Sequence, residues 1–159
     1  MATISVGAGN IMRPYRNVRM EHFPEDAGQT FLVGDIVVFS ATSGKENKIK
    51  LSGADPTASV VGVAAEAASG VEGTMIGVWV ANNDGEFLAN VQDTGTLAAT
   101  NVGSGFGVVR DATNLIWRVD LSETSAKVVD IVKLIDAVGD VNGLVVCKFR
   151  SAIRLPFTA

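Results

Sequence analysis

Apolar residues in this chain come in short runs rich in valine and isoleucine, nearly every one bounded by turn residues, as in FLVGDIVVFS, VVGVAAEAASG, MIGVWVANNDG and GDVNGLVVCKF. Runs this short, bounded by turn residues, are too brief for the usual helix and suit strands. The chain is therefore expected to be all-β: a single compact β-barrel or β-sandwich-like domain with an extended N-terminal arm. With 159 residues, 47% of them hydrophobic and 19% charged, there is enough material for one buried core. The arm is assigned to residues 1–20 and the β-rich domain to residues 21–159.

Strands and turns are placed by periodicity. In FLVGDIVVFS, Gly34-Asp35 supplies a turn before a strand at Ile36 to Phe39; SATSGKENK is a polar hairpin loop, and KIKLSG a return strand. VVGVAAEAASG is read as a strand ending in a turn rather than as a helix, because Gly62 weakens a helix by about 1 kcal/mol. Its small residues suit close approach of another backbone or sheet. MIGVWVANNDGEFLANV is expected to form a hairpin about Asn82 to Gly85, the Asp84-Gly85 pair suiting positive φ. LIWRVDL alternates, with Leu115, Trp117, Val119 and Leu121 on one face and Arg118 and Asp120 on the other. KVVDIVKLIDAV fits either a helical stripe or a strand; its β-branched content favours strand. A turn at Gly139 to Gly143 and a last strand at Leu144 to Phe149 follow. The sequence shows no internal repeat of fixed period.

Candidate chemistry is sparse. Cys147 is the one cysteine, which excludes an internal disulfide and reads as a small buried apolar residue. His22 is the one histidine and is expected on a solvated loop, with no partner to orient it as a base. The neighbouring Glu21, Glu25 and Asp26 lack the glycine-centred alternation of a hard-cation loop. Gly7-Ala8-Gly9 and Gly103-Ser104-Gly105-Phe106-Gly107 lack the rest of a nucleotide-binding motif and are read as flexible turns. Asp84 with Glu86, or Asp93 with Asp111, are carboxylate pairs of the kind a glycosidase uses, but seventeen acids on one small domain produce such pairs by coincidence. No cofactor or metal is expected, and the chain is expected not to be an enzyme.

The net charge of −4 argues against direct nucleic-acid binding, and no apolar run reaches the roughly 18 residues of a membrane span. The start of the chain lacks the order of a secretory signal, so a soluble protein made in a cytoplasm is expected. Charge is uneven: Arg13, Arg16 and Arg19 give residues 1–20 a charge of +3, leaving −7 on the remainder.

VGDIVVFS, VVGVAAEAASG, VWVANNDGEFLANVQDTGTLAATNVG and VVDIVKLIDAVGDVNGLVVCKF, taken together, resemble the capsid decoration, or cement, proteins of tailed bacteriophages. The resemblance covers about residues 31 to 150. It implies a mostly β, commonly trimeric protein on the outer surface of a virion capsid, clamping neighbouring major capsid protein subunits, and it brings no catalytic residues. On that expectation the arm, with Arg13, Tyr15, Arg16 and Arg19, contacts the capsid, and Ala64, Ala65, Ala67 and Ala68 permit close self-association in a homotrimer. Alternatives are a tail-tube or head-completion component, or a sugar- or receptor-binding β-module whose exposed aromatics would be Tyr15, Phe23 and Phe106.

Overall fold

A computed structural model of the protein describes residues 11–56 and 58–155. Eleven strands run β1 (Arg13–Arg16), β2 (Met20–Pro24), β3 (Ile36–Phe39), β4 (Ile49–Leu51), β5 (Val60–Ala64), β6 (Met75–Val80), β7 (Glu86–Asn90), β8 (Gly105–Arg110), β9 (Trp117–Asp120), β10 (Val129–Leu134) and β11 (Leu144–Phe149). They form two antiparallel sheets packed together, ordered β2-β6-β5-β3-β4 and β1-β7-β11-β10-β8-β9. The all-β reading holds, as does the strand at 129–134.

Set side by side, the two sheet orders show a repeat. Leaving β1 aside, β2 to β6 and β7 to β11 have the same topology: first strand beside fifth, fifth beside fourth, fourth beside second, second beside third. The ring then closes in the same way. Glu25, just after β2, bridges Ile49 in parallel, and Val91, just after β7, bridges Val119. Asp26 N–H donates to Ile49 O and Gln92 N–H to Val119 O, each at 2.9 Å. Corresponding strands begin 66 residues apart for Met20 and Glu86, 68 for Ile49 and Trp117, and 69 for Ile36 and Gly105, Val60 and Val129, and Met75 and Leu144. The turns keep step: positive φ recurs at a spacing of 69 in Gly34 and Gly103, Gly70 and Gly139, and Gly73 and Asn142. The chain is an internal structural repeat, where the sequence shows no repeat of fixed period.

This arrangement overturns the hairpin expected at residues 76–91. β6 lies in one sheet and β7 in the other, so residues 81–85 carry the chain between the two halves. Gly85 accordingly lacks the positive φ of a tight hairpin turn, and a Cβ there would lie 2.5 Å from Asn82 Oδ1. The hairpin of β3 and β4 forms as expected, with Val38 opposite Lys50.

One apolar cluster fills the first half, around Phe31, Val37, Ile49, Val61, Ile76 and Val78. A larger one fills the second half and continues across the junction, joining Phe87, Trp117, Val119, Val145 and Cys147 to Met12, Ile36, Val60 and Val63. Each half holds one edge-to-face aromatic pair, Phe23 with Phe39 at 5.6 Å and Phe87 with Phe149 at 5.4 Å, worth about 0.5–1.5 kcal/mol each beyond burial. Cys147 is fully buried, and desolvation pushes its thiol pKa up to about 12. The chain beyond β11 returns to the first half, where Val60 N–H donates to Ile153 O and Leu155 N–H to Val60 O.

The boundary drawn between arm and domain at residue 20 is not a structural one. β1 pairs with β7, Met12 is wholly buried, and β2 begins at Met20. Residues 11–20 are part of the fold because their backbone groups are paired in the sheets; residues 1–10 of the expected arm, Gly7-Ala8-Gly9 among them, lie outside the described residues. His22 is exposed but sits on β2 rather than on a loop. Gly105 to Gly107 form the start of β8 rather than a flexible turn.

Candidate functional site

β1 is a short edge strand whose proline, Pro14, is tolerated because an edge strand leaves some N–H groups unpaired. Its side chains are engaged with the rest of the fold. Arg16 grips Glu86 through Nε at 3.2 Å and Nη2 at 2.9 Å, and Glu86 is 8% exposed. Arg13 donates Nη1 to Ile11 O at 3.1 Å. Tyr15 is exposed; its hydroxyl accepts from Lys133 Nζ at 2.6 Å, and Lys133 also lies 4.8 Å from the ring centroid, with the Arg16 guanidinium at 5.9 Å. Arg19 pairs with Glu21 at 3.5 Å. Three of the four predicted arm residues thus share one edge, and Arg19 stands apart on the approach to β2. Sequence reading missed Lys133, which lies on β10 and reaches Tyr15 across a sequence separation of 118.

The predicted self-association alanines are not brought to one surface. Ala64 is fully buried in the first-half core, Ala65 and Ala68 are half-buried, Ala68 packing against that core, and Ala67 is exposed. Ala64 has no surface to offer another subunit. The close approach that the small residues of β5 permit is internal: a Cβ on Gly62 would overlap the Trp79 carbonyl and lie 3.0 Å from Ala81 N.

A second polar centre lies at the junction of the halves. Alternation along β9 puts Arg118 on the face opposite Trp117 and Val119, yet Arg118 is 2% exposed. Its guanidinium bridges Asp93, which follows β7, and Asp111, which follows β8, the latter at 3.1 Å. Asp111 is held below the usual carboxylate range by the Asn114 and Thr113 backbone N–H groups, with Asn114 Nδ2 and the Arg118 charge adding to them against desolvation. Beside them Arg110 makes a two-point contact with Asp35, Nε to Oδ1 at 2.8 Å and Nη2 to Oδ2 at 2.9 Å, tying β8 to the turn before β3. These groups line a cleft of about 340 Å³. Asp93 and Asp111 are indeed neighbours, but a guanidinium stands between them, so they do not face one another across an open gap as a glycosidase pair does, and Asp111 is held ionised.

A wider cleft of about 620 Å³ includes Gly103, Ser104, Gly105, Lys127, Asp130 and Arg150. Gly105 is needed there because Asp130 and Arg150 lie across it, 2.9 and 3.0 Å from where a Cβ would stand. In the first half, buried Glu25 accepts from Ser69 N–H at 2.9 Å, Gly70 N–H at 3.2 Å and the Ser69 hydroxyl. That makes it a loop clasp rather than a member of an acid cluster with His22. No group of three or more metal-ligating side chains occurs among the described residues. Of the aromatics a sugar-binding surface would need, Phe106 is buried and Phe23 stacks on Phe39, leaving Tyr15. No helix among the described residues is long and apolar enough to cross a membrane. No protein-family model, curated protein or solved structure matches the chain.

Proposed function

We propose that this is a non-enzymatic virion structural protein, a capsid decoration protein that binds the outer capsid surface and stabilises it by clamping neighbouring major capsid protein subunits. The reading starts from the sequence resemblance. The structural observation that supports it best is the exposed cluster of Tyr15, Arg16 and Lys133, with half-buried Arg13 on the same strand, a cationic and aromatic edge on a protein of net charge −4. An aromatic ring flanked by cations is a good anchor for an acidic partner surface, since the ring supplies apolar area at small entropic cost and the cations supply complementarity. Several ionisable groups elsewhere are occupied in holding loops and halves together, as in Asp93–Arg118–Asp111 and Asp35–Arg110. That is the economy of a rigid binding body. Stabilisation follows by mass action, because the protein binds the assembled lattice and not the loose subunit.

The test is decoration of empty heads. Combined Arg13→Ala, Tyr15→Ala and Lys133→Ala substitutions are expected to weaken attachment at least about ten-fold, the equivalent of about 1.4 kcal/mol, and to flatten its dependence on salt. Heads without the protein are expected to rupture at a lower temperature than decorated ones. Wild-type attachment by the triple variant, or an unchanged rupture temperature, would overturn the proposal.

A further inference from the structure

The internal repeat exposes an asymmetry at one edge. In the second half, the side of β7 that faces away from β11 is covered by β1, with Arg13 opposite Leu88 and Arg16 opposite Glu86. The corresponding side of β2 in the first half, away from β6, has no strand on it among the described residues until the closing bridge at Glu25. The direction of the open groups follows from the ladder. Val80 N–H donates to Arg19 O and Glu25 N–H to Thr74 O, so odd-numbered residues of this stretch face β6 and the backbone groups of Met20 and His22 face outward. The flank carries exposed apolar surface: Met20 is 53% exposed and Met75 54%, and the β2–β6 register places both on one face with His22, on either side of Gly77, over which Met20 Sδ and the Glu66 carboxylate lie. An open edge beside an apolar flank is a template for an added strand.

We propose that this edge receives residues 2–6, Ala-Thr-Ile-Ser-Val, of a second copy of the chain, paired antiparallel to β2 as β1 is to β7. Three observations select that occupant. The same end of the chain already supplies the strand that covers the equivalent edge in the other half. The segment alternates Ala2, Ile4 and Val6 with Thr3 and Ser5, giving an apolar side for Met20 and Met75. The ten residues before Ile11 span up to about 33 Å when extended, and Ile11 packs on Gly34 at the head of β3, two strands round the ring from β2. Ten residues starting there are long enough to reach the β2 edge of a neighbouring copy, and the crosslink below separates that from a link within one chain. β2 pairing with its own copy fits poorly, because centring on His22 places His22 against His22 and leaves Pro24 without a donor. Donor and acceptor surfaces differ, so copies either exchange the segment reciprocally in a dimer or pass it head to tail from one copy to the next. The inference concerns self-assembly and stands apart from the capsid reading.

The test uses the full chain. Glu21→Cys, on exposed β2, is combined in turn with Thr3→Cys, Ile4→Cys and Ser5→Cys and oxidised mildly; buried Cys147 does not compete. One register is expected to give disulfide-linked species of dimer mass or larger on a non-reducing gel. Monomer mass at all three registers, or a fast-migrating intrachain link, overturns the proposal. His22→Pro removes an outward N–H without touching the ladder to β6, so it is expected to lower the assembled fraction at micromolar concentration at least ten-fold with circular dichroism and melting temperature unchanged. Deletion of residues 2–10, which spares Met12 and β1, is expected to do the same and decides the matter if the proline variant does not fold. Wild-type assembly in the deletion variant, or a monomeric wild-type protein, overturns the proposal.

Discussion

The two halves share one topology and hold it with different chemistry. At the closing bridge the first half has Glu25 and the second has Val91, both fully buried. Glu25 clasps its neighbouring loop through its own carboxylate, bonded to Ser69 and Gly70. Val91 has no polar side chain, and the second half replaces the clasp with Asn142, whose Nδ2 donates to Val91 O at 2.5 Å, and Asn90, whose Nδ2 donates to Asn142 O at 2.8 Å. On the third strand the closing bridges align Ile49 with Val119, so Lys48 corresponds to Arg118; the lysine pairs with Glu72 at 3.0 Å at the surface of its half, while the arginine is buried between two aspartates. The lesson is that backbone hydrogen-bond demand is conserved between the halves, since every buried N–H and C=O needs a partner, while the side chain that meets it is free to differ.

Substituting at these paired positions is the sharpest way to break the comparison. Arg118→Ala is expected to have the largest effect, about 3–5 kcal/mol of lost stability, because it leaves the Asp111 carboxylate without its buried cationic partner; Lys48→Ala at the matching position, where the ion pair with Glu72 is partly exposed, is expected to cost less than about 1 kcal/mol. Denaturant titration of both variants checks this, and equal losses would mean that the two third strands are held alike. Next comes Glu25→Val, which copies the second half's residue into the first without copying its asparagines. Leaving the Ser69 and Gly70 donors unmet is expected to cost about 1–3 kcal/mol, measured in the same way and accompanied by faster amide exchange at residues 69–70.

The smallest effect is acid loosening of one loop. Glu123 is held at a pKa of about 2, first by the Ser125 hydroxyl and then by the Ala126 and Ser125 N–H groups. Its folded pKa lies below the 4.5 of an unperturbed glutamate, so its contribution is complete above that value and is lost as pH falls through about 2. Carboxyl NMR titration is expected to show a Glu123 midpoint near 2, with order in residues 121–127 fading below it. A midpoint near 4.5 would show that the serine clasp is absent in solution.

Much of this fold was legible in the sequence. The last strand at 144–149 and the β3–β4 hairpin were expected where they occur, since short apolar runs and polar turns are local properties. Cys147 is buried as expected, while of the apolar face read along LIWRVDL Trp117 and Val119 are buried, Leu121 is half-buried and Leu115, before the strand at positive φ, is exposed. The repeat was not legible, because what recurs at a spacing of 69 is a set of backbone angles at Gly34 and Gly103, Gly70 and Gly139, and Gly73 and Asn142, and a glycine and an asparagine can satisfy the same angle. The site was legible only in part. Arg13, Tyr15 and Arg16 were singled out, but Lys133 was hidden in a run that read as core strand, and the alternation that placed Arg118 on the outer face of β9 could not show that the loops after β7 and β8 would bury it.

Sequence by itself determined that the chain is all-β, where it turns and which apolar faces seek a core, because those follow from side-chain period and local backbone preference. Only the tertiary structure decided that β6 and β7 part company, that the halves repeat, that β1 and the start of β2 join the sheets, and that among the described residues one edge is covered while its counterpart is not. Strand pairing is settled by contacts between residues far apart in the chain, and a turn sequence such as Asn-Asn-Asp-Gly is compatible both with a hairpin and with a crossing from one sheet to the other.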